Sequence, residues 1–309
     1  MRRTQVANRT KMLIFLTFLG FGLRMVFKIG GLYPPVWDAR RKDGGLMTES
    51  QQEKNQKSID DFRMFDDTFM SAVFDGKTEE TQFLIRVILN RDDIIVVESR
   101  AQFFISNIYG RGLRLDILAK DQEGHAFHFE VERSKERATV KRARFTGAMV
   151  DSRLLKRGQE IKEIPDRYTI FITEEDMFGE GIPLYHAEYK IAELNNKPLG
   201  DGSQIIYVNG QYRDTDTPIG KLLHDFDCKK ADDIMNTILR KRVKVLKETE
   251  GGRQEVCEIM ENRINEEKIE LAKDAIKKGD LTPEQIASVL KLPLAFVQEL
   301  ARATVPAYA

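Results

Sequence analysis

The stretch from Gly112 to Glu132, GLRLDILAKDQEGHAFHFEVE, constrains the fold more than any other part of the chain. In its first half, apolar Leu115 and Ile117 alternate with polar Arg114 and Asp116, which is the two-residue period of a β-strand. The second half alternates in the same way. The DQEG between the halves is typical of a turn, with a glycine available for a positive φ. The stretch therefore predicts a β-hairpin.

Folding the hairpin about this turn brings acidic side chains together on one face of the sheet. Asp116 lies nearly opposite Glu130, and Glu132 follows on the same face as Glu130. Like charges held together raise each other's pKa, and a bound divalent cation relieves the repulsion. Oxygen ligands of this kind suit Mg²⁺ or Mn²⁺ rather than zinc. A solvated polar face of an antiparallel hairpin accounts for the same pattern without a metal.

Three segments, GLRLDILAKDQEGHAFHFEVER, KRARFTGAMVDSRLLKRGQEIKEIP and YTIFITEEDMFGEGIPLYH, carry a resemblance to a known family. Together they resemble the Rpn-type recombination-promoting nucleases, also described as PD-(D/E)XK nuclease family transposases. The resemblance runs from about Asp67 to about Tyr207. It implies that Asp116 and Glu130 bind a metal ion, assisted by the backbone carbonyl of Val131.

The chain departs from the family pattern at two positions of the hairpin. Leu115 stands where the superfamily often has proline, and Glu132 stands where it has lysine, or glutamine in relatives of this type. Lysine or glutamine there orients water or stabilises charge near the phosphate, whereas an ionised carboxylate cannot donate a hydrogen bond. Glu132 is therefore a third ligand, a base, or the mark of an inactive relative. Asp67, before the first core helix, either approaches the metal site as an additional acid or caps the helix.

The segment from Lys135 to Arg157, directly after the acidic strand, has eight basic residues against two acidic ones and reads as a helix. We predict that four of these side chains contact DNA phosphates: Arg137, Lys141, Arg142 and Arg144. The spacing of Arg137, Lys141 and Arg144 places them on one helical face. A solvated helix face is the alternative. The apolar run YTIFIT beyond the helix predicts a buried strand and hence a βαβ crossover.

Composition excludes several other kinds of site. The chain of 309 residues has 49 basic and 49 acidic residues, so nucleic-acid binding depends on local clustering of charge. Cys228 and Cys257, with four scattered histidines, give no zinc spacing, and the cysteine usage fits a reducing cytoplasm. Glycine-rich phosphate loops and nucleophile elbows are absent from the sequence, so P-loop and serine-hydrolase chemistry are not indicated.

Four regions are expected along the chain. Residues 1–46 are a hydrophobic and basic extension that we interpret as a misplaced start, with a membrane anchor or signal segment as the minority alternative. Residues 47–213 form the nuclease-like core, and 214–279 form a charged helical region. Residues 280–309 resemble a small helix-turn-helix module that begins at the cap Thr282. The C-terminal helices are also a candidate surface for a homo-oligomer.

These observations together predict an α/β fold with a restriction-endonuclease-like mixed central sheet flanked by helices, and a helical C-terminal region. The resemblance implies a Mg²⁺-dependent (or Mn²⁺-dependent) DNA endonuclease of low sequence specificity, associated with recombination or transposition. The alternative is a catalytically inactive DNA-binding or regulatory relative. A third interpretation is a helical interaction protein. A cytoplasmic location is expected, without a small-molecule cofactor or a membrane partner.

Overall fold

The computed structural model describes residues 57–105, 113–155 and 158–304. The predictions for residues 1–46 and for Gly112 lie outside these ranges. Within them, the strands are β1 (Val96–Ile105), β2 (Leu113–Asp121), β3 (Ala126–Glu132), β4 (Arg167–Thr173), β5 (Leu184–Ala187), β6 (Lys190–Ile191), β7 (Lys197–Pro198) and β8 (Ser203–Asn209).

The helices of the same ranges flank the sheet and form the C-terminal region. They are α1 (Asp67–Phe74), α2 (Thr78–Leu89), α3 (Val140–Leu154), α4 (Pro218–Asp227), α5 (Thr237–Glu248), α6 (Glu250–Lys278), α7 (Pro283–Leu290) and α8 (Leu294–Thr304). Short 3₁₀ turns occupy Ile161–Glu163, Ala192–Leu194 and Ala231–Asp233. No helix within the described ranges is long and apolar enough to cross a membrane.

The central sheet has six strands in the order β1-β2-β3-β4-β8-β5. β1, β2 and β3 are antiparallel neighbours, β3, β4 and β8 run parallel, and β5 closes the far edge antiparallel to β8. The sheet is therefore mixed, with helices on it and a helical region after it. This confirms the predicted restriction-endonuclease-like α/β fold. β8 lies inside the sheet, because β5 pairs along its outer side.

The predicted hairpin is formed by β2 and β3. Its turn is held by Asp121, whose Oδ1 accepts the amides of Glu123 and His125 at 3.0 and 2.9 Å. Gly124 has a φ of +89°, which residues other than glycine rarely adopt. The turn and the positive φ expected from DQEG are confirmed.

Helix α3 connects β3 to the parallel strand β4, so the predicted βαβ crossover is confirmed. The helix begins later than predicted, because Thr139 caps its start. The hydroxyl of Thr139 accepts a hydrogen bond from the backbone amide of Arg142. Arg137 therefore lies in the turn before the helix and does not share its face. Gly147 lets the helix approach the sheet, since a Cβ there would lie 2.7 Å from the guanidinium of Arg167.

Apolar side chains cover both faces of the sheet. One face carries Phe127, Phe129 and Ile170 into the main core, which α1, α2, α4 and α5 complete. On the other face, Phe171 and Tyr207 pack beneath the α3 side of the fold. β3 and β4 are buried along their whole length, as expected for strands with helices on both faces.

The C-terminal helices follow the predicted pattern in part. The helical run breaks at Thr249, just before Gly251 and Gly252, and Thr282 caps α7 through a capping box with Gln285. Ile264 and Leu271 of α6 are 50% and 58% exposed. The second half of α6 packs with α7 and α8 around a separate apolar cluster.

Candidate functional site

The two predicted metal ligands lie where the β2–β3 hairpin opens. Backbone pairing of the two strands runs from Lys120–Ala126 to Ile117–Phe129, so Asp116 and Glu130 are the next opposed positions. There the amide of Val131 donates to Oδ2 of Asp116 at 3.1 Å, in place of a backbone acceptor. The carbonyl of a strand residue points to the same side as its amide, so the Val131 carbonyl also faces Asp116.

Glu130 is buried, with 1% of its surface exposed. Its Oε1 lies 2.8 Å from Nε2 of His128, and its Oε2 accepts from Nη2 of Arg142 at 2.5 Å. Burial lowers the pKa of His128 to about 3, so its ring is neutral. Nδ1 of His128 is buried without a hydrogen-bond partner among the described residues.

Both carboxyls are harder to ionise than ordinary ones. Burial raises the pKa of Asp116, and the charge of Glu130 raises it further, against the lowering effect of the Val131 amide. Burial also raises the pKa of Glu130, although the Arg142 guanidinium opposes the rise. A divalent cation beside the two carboxyls would favour their ionised forms. The donor set of two carboxylates and a carbonyl is one that Mg²⁺ and Mn²⁺ accept.

Glu132 shares the guanidinium of Arg142 with Glu130. Its Oε1 accepts from Nη1 of Arg142, and its Oε2 lies 3.9 Å from Nη1 of Arg137. The three carboxylates do not come within 4.8 Å of one another as a set, in contrast to two other clusters in the described ranges. The structure thus brings Asp116 and Glu130 together and leaves Glu132 beside the arginines.

The four predicted phosphate contacts separate into two kinds. Lys141 and Arg144 are exposed on α3, and Arg137 is exposed in the preceding turn, with 75% of its side chain accessible. Arg142 points inward to the two glutamates and keeps 32% of its side chain exposed. Sequence spacing alone did not distinguish this arginine from its neighbours.

Asp67 is the first residue of α1, and the predicted capping role is wrong. The cap position belongs to Asp66, whose side chain makes no capping hydrogen bond and accepts the amide of Arg63 instead. The carboxylate of Asp67 is paired with Arg263 of α6. Its charge nevertheless reaches the acidic pair, because it contributes to the raised pKa values of Asp116 and Glu130.

The structure adds His128, which sequence reasoning set aside as a surface or packing residue. It is fully buried and bonded to Glu130. The signal was present in the alternation of β3, which places His128, Glu130 and Glu132 on one face.

Two other clusters of metal-ligating side chains occur in the described ranges, one at the C-terminal end of α4 and one in the turn of the hairpin. Asp225 of the cluster with His224 and Cys228 accepts the amides of Met235 and Asn236 at 2.6 and 2.9 Å. The other cluster is the Asp121 turn of the hairpin. In each case the central carboxylate is already used by backbone amides.

A cleft of about 640 Å³ lies next to the end of β3. Arg133, which follows Glu132, lines it together with Arg63, Asp66 and Asp227. Arg63 pairs with Glu174 at 2.8 Å and with Asp227 at 2.5 Å, so the lining is charged but largely self-compensated.

Comparison with known protein families gives a match. Residues 75–217 match the family model of the PD-(D/E)XK nuclease family transposases. The resemblance seen in the sequence is thereby confirmed for this segment, which contains β1 to β8, α3 and the acidic pair. The match supports a nuclease-type function, and nucleases of this superfamily generally use divalent metal ions and cleave DNA. Curated proteins and solved structures give no match.

Proposed function

We propose that this protein is a divalent-metal-dependent DNA endonuclease whose metal ligands are Asp116, Glu130 and the carbonyl of Val131. The observation that carries the proposal is the pairing of half-buried Asp116 with buried Glu130 at the opening of the β2–β3 hairpin, within the segment that matches the nuclease family. The raised pKa values of both carboxyls support a cation between them. Mg²⁺ is the proposed ion, with Mn²⁺ as the substitute.

The chain's own residues account for substrate positioning. Lys141 and Arg144 are exposed on α3, the helix that brings Arg142 to Glu130, and Arg137 is exposed in the turn before it; these three side chains would hold the DNA backbone. Such contacts are to phosphates and carry no base information, which supports low sequence specificity. Asp67 is an outer acid whose charge adds to the field at the pair.

The reaction is hydrolysis of a phosphodiester. Asp116, Glu130 and the carbonyl of Val131 would hold a divalent ion, which would supply activation of water and stabilisation of the charge that develops on the scissile phosphate. The water oxygen forms a new bond to phosphorus. One of the two P–O ester bonds to a sugar breaks, and the released sugar oxygen takes up a proton. An association with recombination or transposition rests on the family match. DNA as substrate also places the protein in the cytoplasm in this proposal, and the two cysteines, both free, fit that compartment.

Plasmid nicking by the full chain with Mg²⁺, Mn²⁺ or EDTA tests the proposal. We expect metal-dependent nicking that is lost in Asp116→Asn and in Glu130→Gln. Glu123→Gln is the matched control, because this acid lies in the turn of the same hairpin and is exposed. Nicking that survives in both site variants, or in EDTA, would contradict the assignment.

Glu132 favours a second candidate, a catalytically inactive DNA-binding relative. It occupies the position where the family has a hydrogen-bond donor, and it is held by Arg142. Salt-sensitive DNA retention by the wild type without nicking in either metal would select this candidate over the endonuclease.

Self-association through the C-terminal helices is a separate part of the proposal. α6 and α7 expose apolar side chains, among them Leu271 at 58% and Val289 at 71%. Sedimentation of the full chain over a range of concentrations tests it. A mass that stays at one protomer throughout would rule out a homo-oligomer.

A further inference from the structure

We propose that Arg142 supplies, from helix α3, the hydrogen-bond donor and positive charge that the strand position Glu132 cannot provide, and that Glu132 holds this guanidinium in place. The inference rests on the proposed nuclease function for the location of the scissile phosphate. Arg142 is then a catalytic residue that contacts the phosphate, and Glu132 is a positioning residue.

The placement of the guanidinium carries the inference. Arg142 reaches Oε2 of Glu130 at 2.5 Å through Nη2 and pairs with Oε1 of Glu132 through Nη1. Nη1 also donates to the carbonyl of Arg137 at 3.1 Å. The guanidinium therefore lies next to the side chain of Glu132 and directly beside Glu130, a proposed metal ligand. A lysine at position 132 would bring its charge to the same place from the strand.

The guanidinium retains donors for a ligand. It has five N–H groups in a fixed fork, and the described residues accept from three of them. Nε–H and one Nη2–H remain for a phosphate oxygen, the acceptor to which arginine forks are best suited. The side chain is 32% exposed, so the fork is reachable from solvent.

Three contacts keep this orientation when a ligand arrives. The amide of Arg142 bonds to the capping hydroxyl of Thr139 at 3.2 Å, which fixes its position in the first turn of α3. Its guanidinium carbon lies 6.0 Å from the centre of the Phe171 ring in β4, within cation–π range. Glu132 is 6% exposed and so has little freedom to release its arginine. A preorganised donor of this kind stabilises developing charge without reorganisation during the reaction.

The local charge is consistent with this role. Asp116, Glu130 and Glu132 bring three carboxyls to the site, against Arg142 and the more distant Arg137. A divalent ion held by Asp116 and Glu130 would neutralise the charge of Glu130, the carboxylate beside which Arg142 lies. The charge of Arg142 is then available to a bound phosphate.

The inference can be tested by combining the loss of Arg142 with Glu132→Lys, which introduces the residue that the family has at this position. The variants of the full chain are Arg142→Ala, Arg142→Lys, and Arg142→Ala combined with Glu132→Lys. Arg153→Ala is the matched control, because it removes a basic side chain from the other end of the same helix. Two quantities are measured: the nicking rate at saturating DNA with Mg²⁺, and the salt dependence of binding to a short random duplex with Ca²⁺.

We expect Arg142→Ala to lose about 100-fold or more in rate, as when one preorganised donor is removed. Its slope of log K against log salt should fall by about 0.9, the loss of one phosphate contact. The double variant should regain at least about tenfold in rate and recover the slope, because lysine restores the charge. Arg153→Ala should keep the wild-type rate.

Arg142→Lys retains the charge and is the variant to use if Arg142→Ala does not fold, as judged by thermal unfolding. We expect it to stay within about tenfold of the wild-type rate. A loss as complete as that of Glu130→Gln would overturn the inference. So would an Arg142→Ala protein with wild-type rate and slope, or a double variant no better than Arg142→Ala in either quantity.

Failure of the proposed function gives a different result. If the wild type does not nick DNA, the endonuclease proposal fails while the salt slopes in Ca²⁺ still decide whether Arg142 contacts phosphate. If the wild type does not bind DNA at all, both proposals are overturned.

Discussion

Replacing Asp116 by asparagine should stabilise the metal-free protein at neutral pH while it abolishes nicking. The carboxyl of Asp116 lies beside that of Glu130, and its pKa rises from an ordinary 3.8 to about 8. At pH 7 the folded protein therefore holds a proton that the unfolded chain releases. Asparagine needs no such proton, and its Oδ1 still accepts the Val131 amide that Asp116 accepts at 3.1 Å.

The magnitude follows from the difference between the two states. At pH 7, taking up a proton on a group with an unfolded pKa of 3.8 costs about 4 kcal/mol, since each pKa unit corresponds to about 1.4 kcal/mol. Asp116 is only half-buried, so water screens part of this cost. We expect a gain of roughly 2 kcal/mol in the free energy of unfolding, or about 4 °C in Tm for a chain of this size.

The pH dependence has a definite sign. Because the folded pKa is raised, the folded state binds more protons than the unfolded state between pH of about 4 and about 8, and wild-type stability falls across this range as pH rises. The difference in the free energy of unfolding between Asp116→Asn and the wild type should be near zero at about pH 4 and largest near pH 8. Saturating Mg²⁺ should close or reverse this difference, because about 2.7 kcal/mol of stabilisation accompanies a ligand at 100 times its Kd.

Urea unfolding in EDTA and in Mg²⁺, at several pH values, measures these differences. Asp176→Asn is the informative control, because hydrogen bonds from Tyr185 and from the amides of Gly181, Gly179 and Phe178 outweigh burial and lower the pKa of Asp176. The same substitution should destabilise there by about 1–2 kcal/mol. The reasoning is refuted if Asp116→Asn is less stable than wild type at pH 8 in EDTA, or if the difference does not shrink toward pH 4.

Three further substitutions address the C-terminal half of the core. Gly252→Ala should destabilise by more than about 2 kcal/mol, because its Cβ would lie 2.0 Å from the carbonyl oxygen of Val245. Gly251→Ala, which meets nothing within 4 Å in the same helical turn, should be neutral or stabilising by up to about 1 kcal/mol. Equal effects of the two in thermal unfolding would contradict the described junction of α5 and α6. Lys247→Met should cost about 1–3 kcal/mol in urea unfolding, because the buried ammonium donates to the carbonyls of Asp60, Phe62 and Lys229. An unchanged urea midpoint would contradict this, because it would show that water satisfies the three carbonyls as well as the ammonium does.

The opposition of Asp116 and Glu130 could be predicted from the sequence because the register of a hairpin is a local property. The alternation of β2 and β3 and the DQEG turn fix which residues oppose each other, and this places Asp116 opposite Glu130. The buried strand after the basic helix was equally clear, since a short apolar run that follows a helix is typical of a parallel strand.

Helix α3 shows where local signals compete. The basic run predicted a helix that included Arg137, but the amides of Arg137 and Ala138 bond to the carbonyls of Ser134 and Lys135 in a turn, and Thr139 caps the helix after it. A cap and a turn with similar propensities cannot be ranked from the sequence, because tertiary packing decides between them. Of the four residues predicted to contact phosphates, Arg142 therefore points inward, and the other three side chains are exposed.

Sequence by itself determined the hairpin, the opposed acids and the βαβ order, because each depends on periodicity over a few residues. Only the tertiary structure brought Arg142 to Glu130 and Glu132, placed β8 inside the sheet, and paired Asp67 with Arg263, 196 residues away. These contacts depend on how helices lie across the sheet, and that is set by the packing of side chains distant in sequence rather than by any local pattern.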